Sequence, residues 1–149
     1  MSPQQLAEAC AAAMWAEDKA SQGLGMALGH VGPGEARLTM TIRPDMVNGH
    51  GIAHGGFIFT LADSAFAFAC NAYDEVTVAQ HCSVSFLRPG RLGERLTAHA
   101  VERHRSGRSG IYDIRVSDEG GRTIAEFRGH SRTIGGPILA RRQDREAGR

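Results

Sequence analysis

Apolar residues recur at two different spacings along this chain, and the places where one spacing gives way to the other mark out its elements. Between Gln4 and Ser21, residues Leu6, Cys10, Ala13 and Met14 fall on one helical face. Pro3 stands where a helix tolerates proline, and Gly23 and Gly25 end the segment. A short strand is expected over Leu24–Val31, then a turn at Gly32-Pro33-Gly34. A second strand follows over Glu35–Arg43, with Leu38, Met40 and Ile42 alternating on one face. Pro44-Asp45 stops it, and the glycine-rich run Asn48-Gly-His-Gly-Ile-Ala-His-Gly-Gly56 leads into Phe57–Asn71. That segment reads as a helix by its length and its Ala, Phe and Leu content. It is apolar nearly all the way round, which places it at the centre of a structure.

Four strand-like stretches come next: Thr77–Leu87, Arg95–Arg105, Ile111–Ser117 and Thr123–Ile134. Pro89-Gly90, Ser106-Gly107 and Glu119-Gly120-Gly121 separate them. These gaps leave no room for crossover helices, so the sheet is expected to be antiparallel. One sheet curled around one buried helix satisfies the order. The 149 residues form a single domain, with a charged, frayed tail expected over Arg141–Arg149.

Composition narrows the classes. No early Lys or Arg precedes Glu8, and the longest apolar run, Phe57–Cys70, contains Asp63 and is too short to span a bilayer. The expectation is a cytoplasmic protein without a membrane segment. Cys10, Cys70 and Cys82 are odd in number and lack CxxC spacing, which fits reduced, buried thiols. Charge is unevenly spread. Residues 1–87 carry three basic and eight acidic side chains, whereas residues 88–149 carry fourteen Arg and eight acids. The second half is either a solvated Arg-rich surface or a contact for a partner with several phosphates. The excess is modest and lacks interleaved aromatics, so nucleic acid is not expected.

Asp63 is the most informative residue. Asp is a poor helix former, and an ionised carboxylate among Leu61, Ala62, Ala65 and Phe66 is costly unless something satisfies it. Thr60, Ser64 or a strand arginine could do so; otherwise the group is a candidate base or nucleophile. His54-Gly55-Gly56 opens the same helix, where free N–H groups at the positive dipole end could hold a carbonyl oxygen. Gly55 and Asp63 are eight residues apart, roughly 12 Å along a helix. One carbonyl cannot touch both on one helix, so joint action requires two chains and a dimer with sites at its interface. Asn48 either forms a turn with Gly49 or orients a thioester or water. His50 and His54 lack a third ligand at sensible spacing, so no metal is expected. Ser64 and Ser109 lie in no GxSxG context. The basic turn Arg105-Ser-Gly-Arg108 is an exposed hairpin or a phosphate clamp.

The run Asn48-x-x-Gly51-x-x-His54-Gly55-Gly56, with Asp63 in a Leu-Ala-Asp helix, resembles the hotdog thioesterases of the phenylacetic acid degradation (PaaI) type. Ser83-Val-Ser-Phe-Leu-Arg-Pro89 is similar to that family's strand after the central helix. The resemblance covers roughly residues 20–135. It implies an α+β hotdog fold and hydrolysis of acyl-CoA thioesters, with aromatic acyl groups such as phenylacetyl and its ring-hydroxylated forms favoured. It also implies dimers paired into tetramers, with no cofactor beyond the coenzyme A of the substrate. By position, Asp63 is the nucleophile or general base, the Gly55 N–H polarises the carbonyl, and Asn48 and His54 line the site. Gly56, Arg88, Arg105, Ser106, Gly107 and Arg108 are expected to meet substrate or coenzyme A. Ala79 stands near where some relatives carry a hydroxyl. The competing readings are a hotdog enoyl-CoA hydratase or dehydratase, and a non-catalytic acyl-CoA binder.

Overall fold

The computed structural model describes residues 1–148. Two helices, α1 (Pro3–Trp15) and α2 (Lys19–Gly23), precede the hairpin β1 (Ala27–Gly32) and β2 (Glu35–Thr41). The central helix α3 spans Gly55–Cys70. Strands β3 (Thr77–Phe86), β4 (Arg95–Ser106), β5 (Ser109–Ser117) and β6 (Thr123–Thr133) follow, and α4 (Ile138–Ala147) closes the described chain. The six strands form one sheet in the order β1-β2-β4-β5-β6-β3. Every neighbouring pair is antiparallel. This is the α+β arrangement of one sheet around one helix that the apolar periodicity predicts.

Alternation fixes which face of each strand meets α3. In β5 the inward residues Tyr112, Ile114 and Val116 are at most 1% exposed, and Asp113 and Arg115 point outward between them. Phe66 of α3 packs against Tyr112 and Phe127, with ring centroids 5.5 and 6.1 Å apart. Gly129 of β6 makes this approach possible, because a Cβ there would lie 2.8 Å from the Phe66 ring. Helix α3 is not closed on every side, however. Gly56, Thr60, Asp63 and Ala67 repeat at helical spacing and form a stripe that stays open or half-buried. Strand β3 is the edge beside β6, and Val78 and Phe86 on it remain uncovered, as does Leu87 just beyond it.

Two sequence expectations need correction. The single N-terminal helix is broken after Trp15, because the Asp18 carboxylate accepts from the Ser21 N–H at 3.0 Å and starts a new helix. The charged tail is not frayed over its length: Ile138–Ala147 is helical, and only Arg149 lies outside the described residues. Helix α4 is held by tertiary contacts. Asp74 Oδ1 accepts from the N–H groups of Ile138 and Leu139 at 2.9 Å each, and Arg142 reaches the Ala12 carbonyl at 3.3 Å. Among the described residues, no helix is long and apolar enough to cross a membrane.

Candidate active site

Asp63 lies at the middle of the open stripe of α3. None of the partners considered for it takes up its charge. The Thr60 hydroxyl donates back to the Gly56 carbonyl at 2.8 Å. The Ser64 hydroxyl shares a 2.8 Å bond with Ser21, which docks α2 on α3. Among the described residues no arginine pairs with Asp63. Burial alone pushes its carboxyl above the ordinary value of 3.8. A carboxylate in this state keeps its lone pairs free and holds a proton more tightly than a solvated one, which suits a base or nucleophile.

Asp63 opens on a cleft of about 480 Å³. Phe66, Ala67 and Cys70 of α3 line one side, and Thr77, Val78 and Ala79 of β3 line another. Met14 and Glu17 of α1 and its C-terminal end, with Ile138, Arg141 and Arg145 of α4, close the rest. Burial drives the Cys70 thiol up to about 12, and burial with the nearby Asp63 charge also raises Cys82. Neither supplies a thiolate.

The start of α3 is organised by its cap. His54 Nδ1 accepts from the Gly56 N–H at 3.1 Å, which places the imidazole proton on Nε2. The Gly55 N–H takes no partner among the described residues and remains a free donor at the positive end of the helix. The ring of Phe86 lies over this glycine, since a Cβ on Gly55 would meet it at 3.0 Å. Asn48 is a turn residue in this chain. Its Oδ1 accepts from the His50 N–H at 2.9 Å.

The sequence-selected residues therefore fall into three places. Asn48, His54, Gly55 and Gly56 cluster at the N-terminal end of α3, Asp63 stands mid-helix, and the basic turn lies near the far end. There the Arg105 guanidinium stacks 3.7 Å from the centroid of Tyr73, just past the end of α3, and approaches Glu75 at 3.9 Å. Ser106, Gly107 and Arg108 form the β4–β5 turn, with Gly107 at φ 58°. Arg88 follows β3, its N–H bonded to the Ile124 carbonyl at 3.2 Å. One chain does not bring the Gly55 donor to the Asp63 carboxylate. Sequence reasoning missed Glu17, Arg141 and Arg145 at the cleft. The available signal was the i, i+4 pair Arg142–Glu146 after Pro137, which marks a helix start and a helical face.

A fold in which one antiparallel sheet wraps a central helix, with an unpaired acid on that helix, defines a hotdog thioesterase architecture, and comparison with known proteins agrees. The family model described as Thioesterase superfamily matches residues 50–125. The acyl-coenzyme A thioesterase PaaI of Escherichia coli (strain K12) is 44% identical over 126 residues, which cover 85% of this chain and 90% of that protein. The solved structure of E. coli PaaI, from the phenylacetic acid degradation operon, superposes with a TM-score of 0.90 at 43% identity, covering 91% of this chain and 99% of that one. A mutant of the phenylacetic acid degradation protein PaaI from Thermus thermophilus superposes with a TM-score of 0.76 at 39% identity, covering 78% of this chain and 100% of that one. The chain belongs to the Thioesterase superfamily and is a hotdog-fold thioesterase of the PaaI type.

Proposed function

We propose that this thioesterase hydrolyses aromatic acyl-CoA thioesters, with phenylacetyl-CoA and its ring-hydroxylated forms as the favoured substrates, and that each site is built from two chains. The observation that carries the reading is the unpaired, half-buried Asp63 carboxylate opening on a cleft whose walls from α3 and β3 are largely apolar. Asp63 supplies the attack on the thioester carbonyl, as the nucleophile or as the base that deprotonates water. The Gly55 N–H of a second chain stabilises the oxyanion, because it is a free donor at a helix start and stands about 12 Å from Asp63 along its own helix.

The relatives' names motivate the acyl class, and the dimensions of the cleft suit it. A phenylacetyl group has about nine heavy atoms, and even at about 30 Å³ each, the volume a water takes in the liquid, it fills only part of the space. The exposed apolar residues along β3 and the open stripe of α3 give a second copy of the chain a surface to cover. In this reading the chains form dimers that pair into tetramers. Arg88 and the turn Arg105, Ser106, Gly107 and Arg108 take the coenzyme A phosphates, with the stack on Tyr73 holding Arg105 in place. His54 caps the helix and, with Asn48, borders the acyl entry.

A thiol-release screen of aromatic and straight-chain acyl-CoAs tests the reading. Phenylacetyl-CoA and its hydroxylated forms are expected to rank first, and Asp63→Ala is expected to lose at least about a hundredfold in kcat, the scale of a positioned base. Near-normal turnover by that variant on every thioester would remove the assignment.

A further inference from the structure

Helix α4 is the wall of the Asp63 cleft that follows the last strand, outside the sheet, the central helix and the N-terminal helices. It is held there by a residue in an unusual backbone state. Asp74 is the sole non-glycine at positive φ among the described residues, at 59°. Such a conformation costs an aspartate free energy that the surrounding contacts must offset. Its carboxylate accepts from the two first N–H groups of α4, Ile138 and Leu139, both at 2.9 Å. The Val76 N–H donates to the Gly136 carbonyl at 3.0 Å, fixing the segment that leads into the helix. Further along, Arg145 meets Glu17 at 3.4 Å. All of these ties join α4 to the ends of other elements. The body of the helix turns Ile138 and Arg141 toward the cleft, which Phe66 and Cys70 also line.

We propose that α4, latched by Asp74, is the wall that sets which acyl groups the Asp63 cleft accepts: it favours bulky aromatic acyl groups over short ones, and Asp74 is its positioning residue. The proposal rests on the thioesterase reading above and names where its selectivity resides. Distance along α3 supports the division of labour. Cys70 and Asn71 border the cleft seven and eight residues beyond Asp63, roughly 10–12 Å away. A two-carbon acyl group bonded near Asp63 stops short of that end. An aryl ring reaches several times farther along the cleft than the acetyl methyl does, toward the side that Ile138 lines.

The test compares kcat/KM for phenylacetyl-CoA and acetyl-CoA in the full chain and in Asp74→Gly and Asp74→Asn. Glycine keeps the positive φ without strain but removes the cap, whereas asparagine keeps both the backbone state and a capping oxygen. The expected result for Asp74→Gly is about a tenfold fall in the phenylacetyl-to-acetyl ratio with acetyl-CoA turnover unchanged, and for Asp74→Asn a ratio close to that of the unmodified chain. An unchanged ratio in Asp74→Gly, or an equal loss on both substrates, overturns the proposal. Hydrogen exchange of the unmodified protein gives a second reading that needs no variant. A non-hydrolysable phenylacetyl thioether of coenzyme A should slow exchange over residues 138–147, and the acetyl thioether should not; equal protection by both overturns the wall. Absence of thiol release from every thioester by the unmodified chain would instead bring down the thioesterase reading, and the wall with it.

Discussion

Two aspartates on opposite sides of the sheet show what this protein does with a carboxylate that is partly withdrawn from water. Asp113, on the outer face of β5, is clasped by Arg128 through bonds of 2.6 and 2.8 Å and by Arg103 at 3.0 Å. The Arg128 bond, with help from Arg103, holds its carboxyl below the ordinary value. Asp63, on the inner helix, has no such partner among the described residues, and burial pushes its carboxyl up. The residue type is the same, yet one is a structural charge satisfied by its neighbours and the other is left unsatisfied beside an open cleft. The proposed chemistry needs the second kind, at a cost in stability.

The sharpest way to break this contrast is to neutralise each acid. Asp63→Asn should lower kcat by about a hundredfold or more, the loss expected for a positioned base. The same change should raise the melting temperature at pH 7, because it removes a charge that burial disfavours. A variant that is both inactive and less stable would mean that Asp63 has a hidden structural partner. Asp113→Ala should behave in the opposite way, leaving kcat near that of the unmodified chain while costing about 1 kcal/mol in denaturant unfolding, the scale of an exposed ion-pair network.

A smaller effect separates the two acids by pH. The raised Asp63 binds more protons folded than unfolded across the range between the ordinary aspartate value and its own. Its contribution therefore makes stability fall as pH rises through that range. The lowered Asp113 contributes stability that is present above the ordinary value and is lost as pH falls through its own lower one. Denaturation of Asp63→Asn and Asp113→Ala against pH, each compared with the unmodified chain, should give difference curves of opposite slope. In the proposed chemistry Asp63 acts ionised, so the acid limb of kcat/KM should have its midpoint above the ordinary aspartate value.

Much of the fold could be read from the order of residues because the signals are local. Alternation in Leu38, Met40 and Ile42 and the turn at Ser106-Gly107 place their strands within a residue or two. Asp63 was legible for the same reason, since an acid among alanines and phenylalanines contradicts its surroundings within one helical turn. What was hidden depends on partners distant in sequence. Helix α4 is capped by Asp74, which lies 64 residues from Ile138, so its start carries no nearby capping side chain. The bond that occupies the Gly56 N–H also escaped the sequence, because it depends on the imidazole of His54 turning back to accept it.

Mixed dimers test most directly whether the site is shared. Gly55→Pro removes the proposed oxyanion donor at the first position of α3, where the helix backbone tolerates proline; His54 already has the extended backbone that a following proline requires, and the exposed Phe86 ring, 3.0 Å from the added Cβ, must turn aside. Asp63→Ala removes the acid. Each variant alone is expected to be nearly inactive. If each site takes its acid from one chain and its N–H from the other, unfolding the two together and refolding them as mixed dimers should restore about a quarter of the unmodified activity, because half the dimers then hold one intact site. A refolded mixture that contains mixed dimers but is no more active than its parents would contradict the shared site.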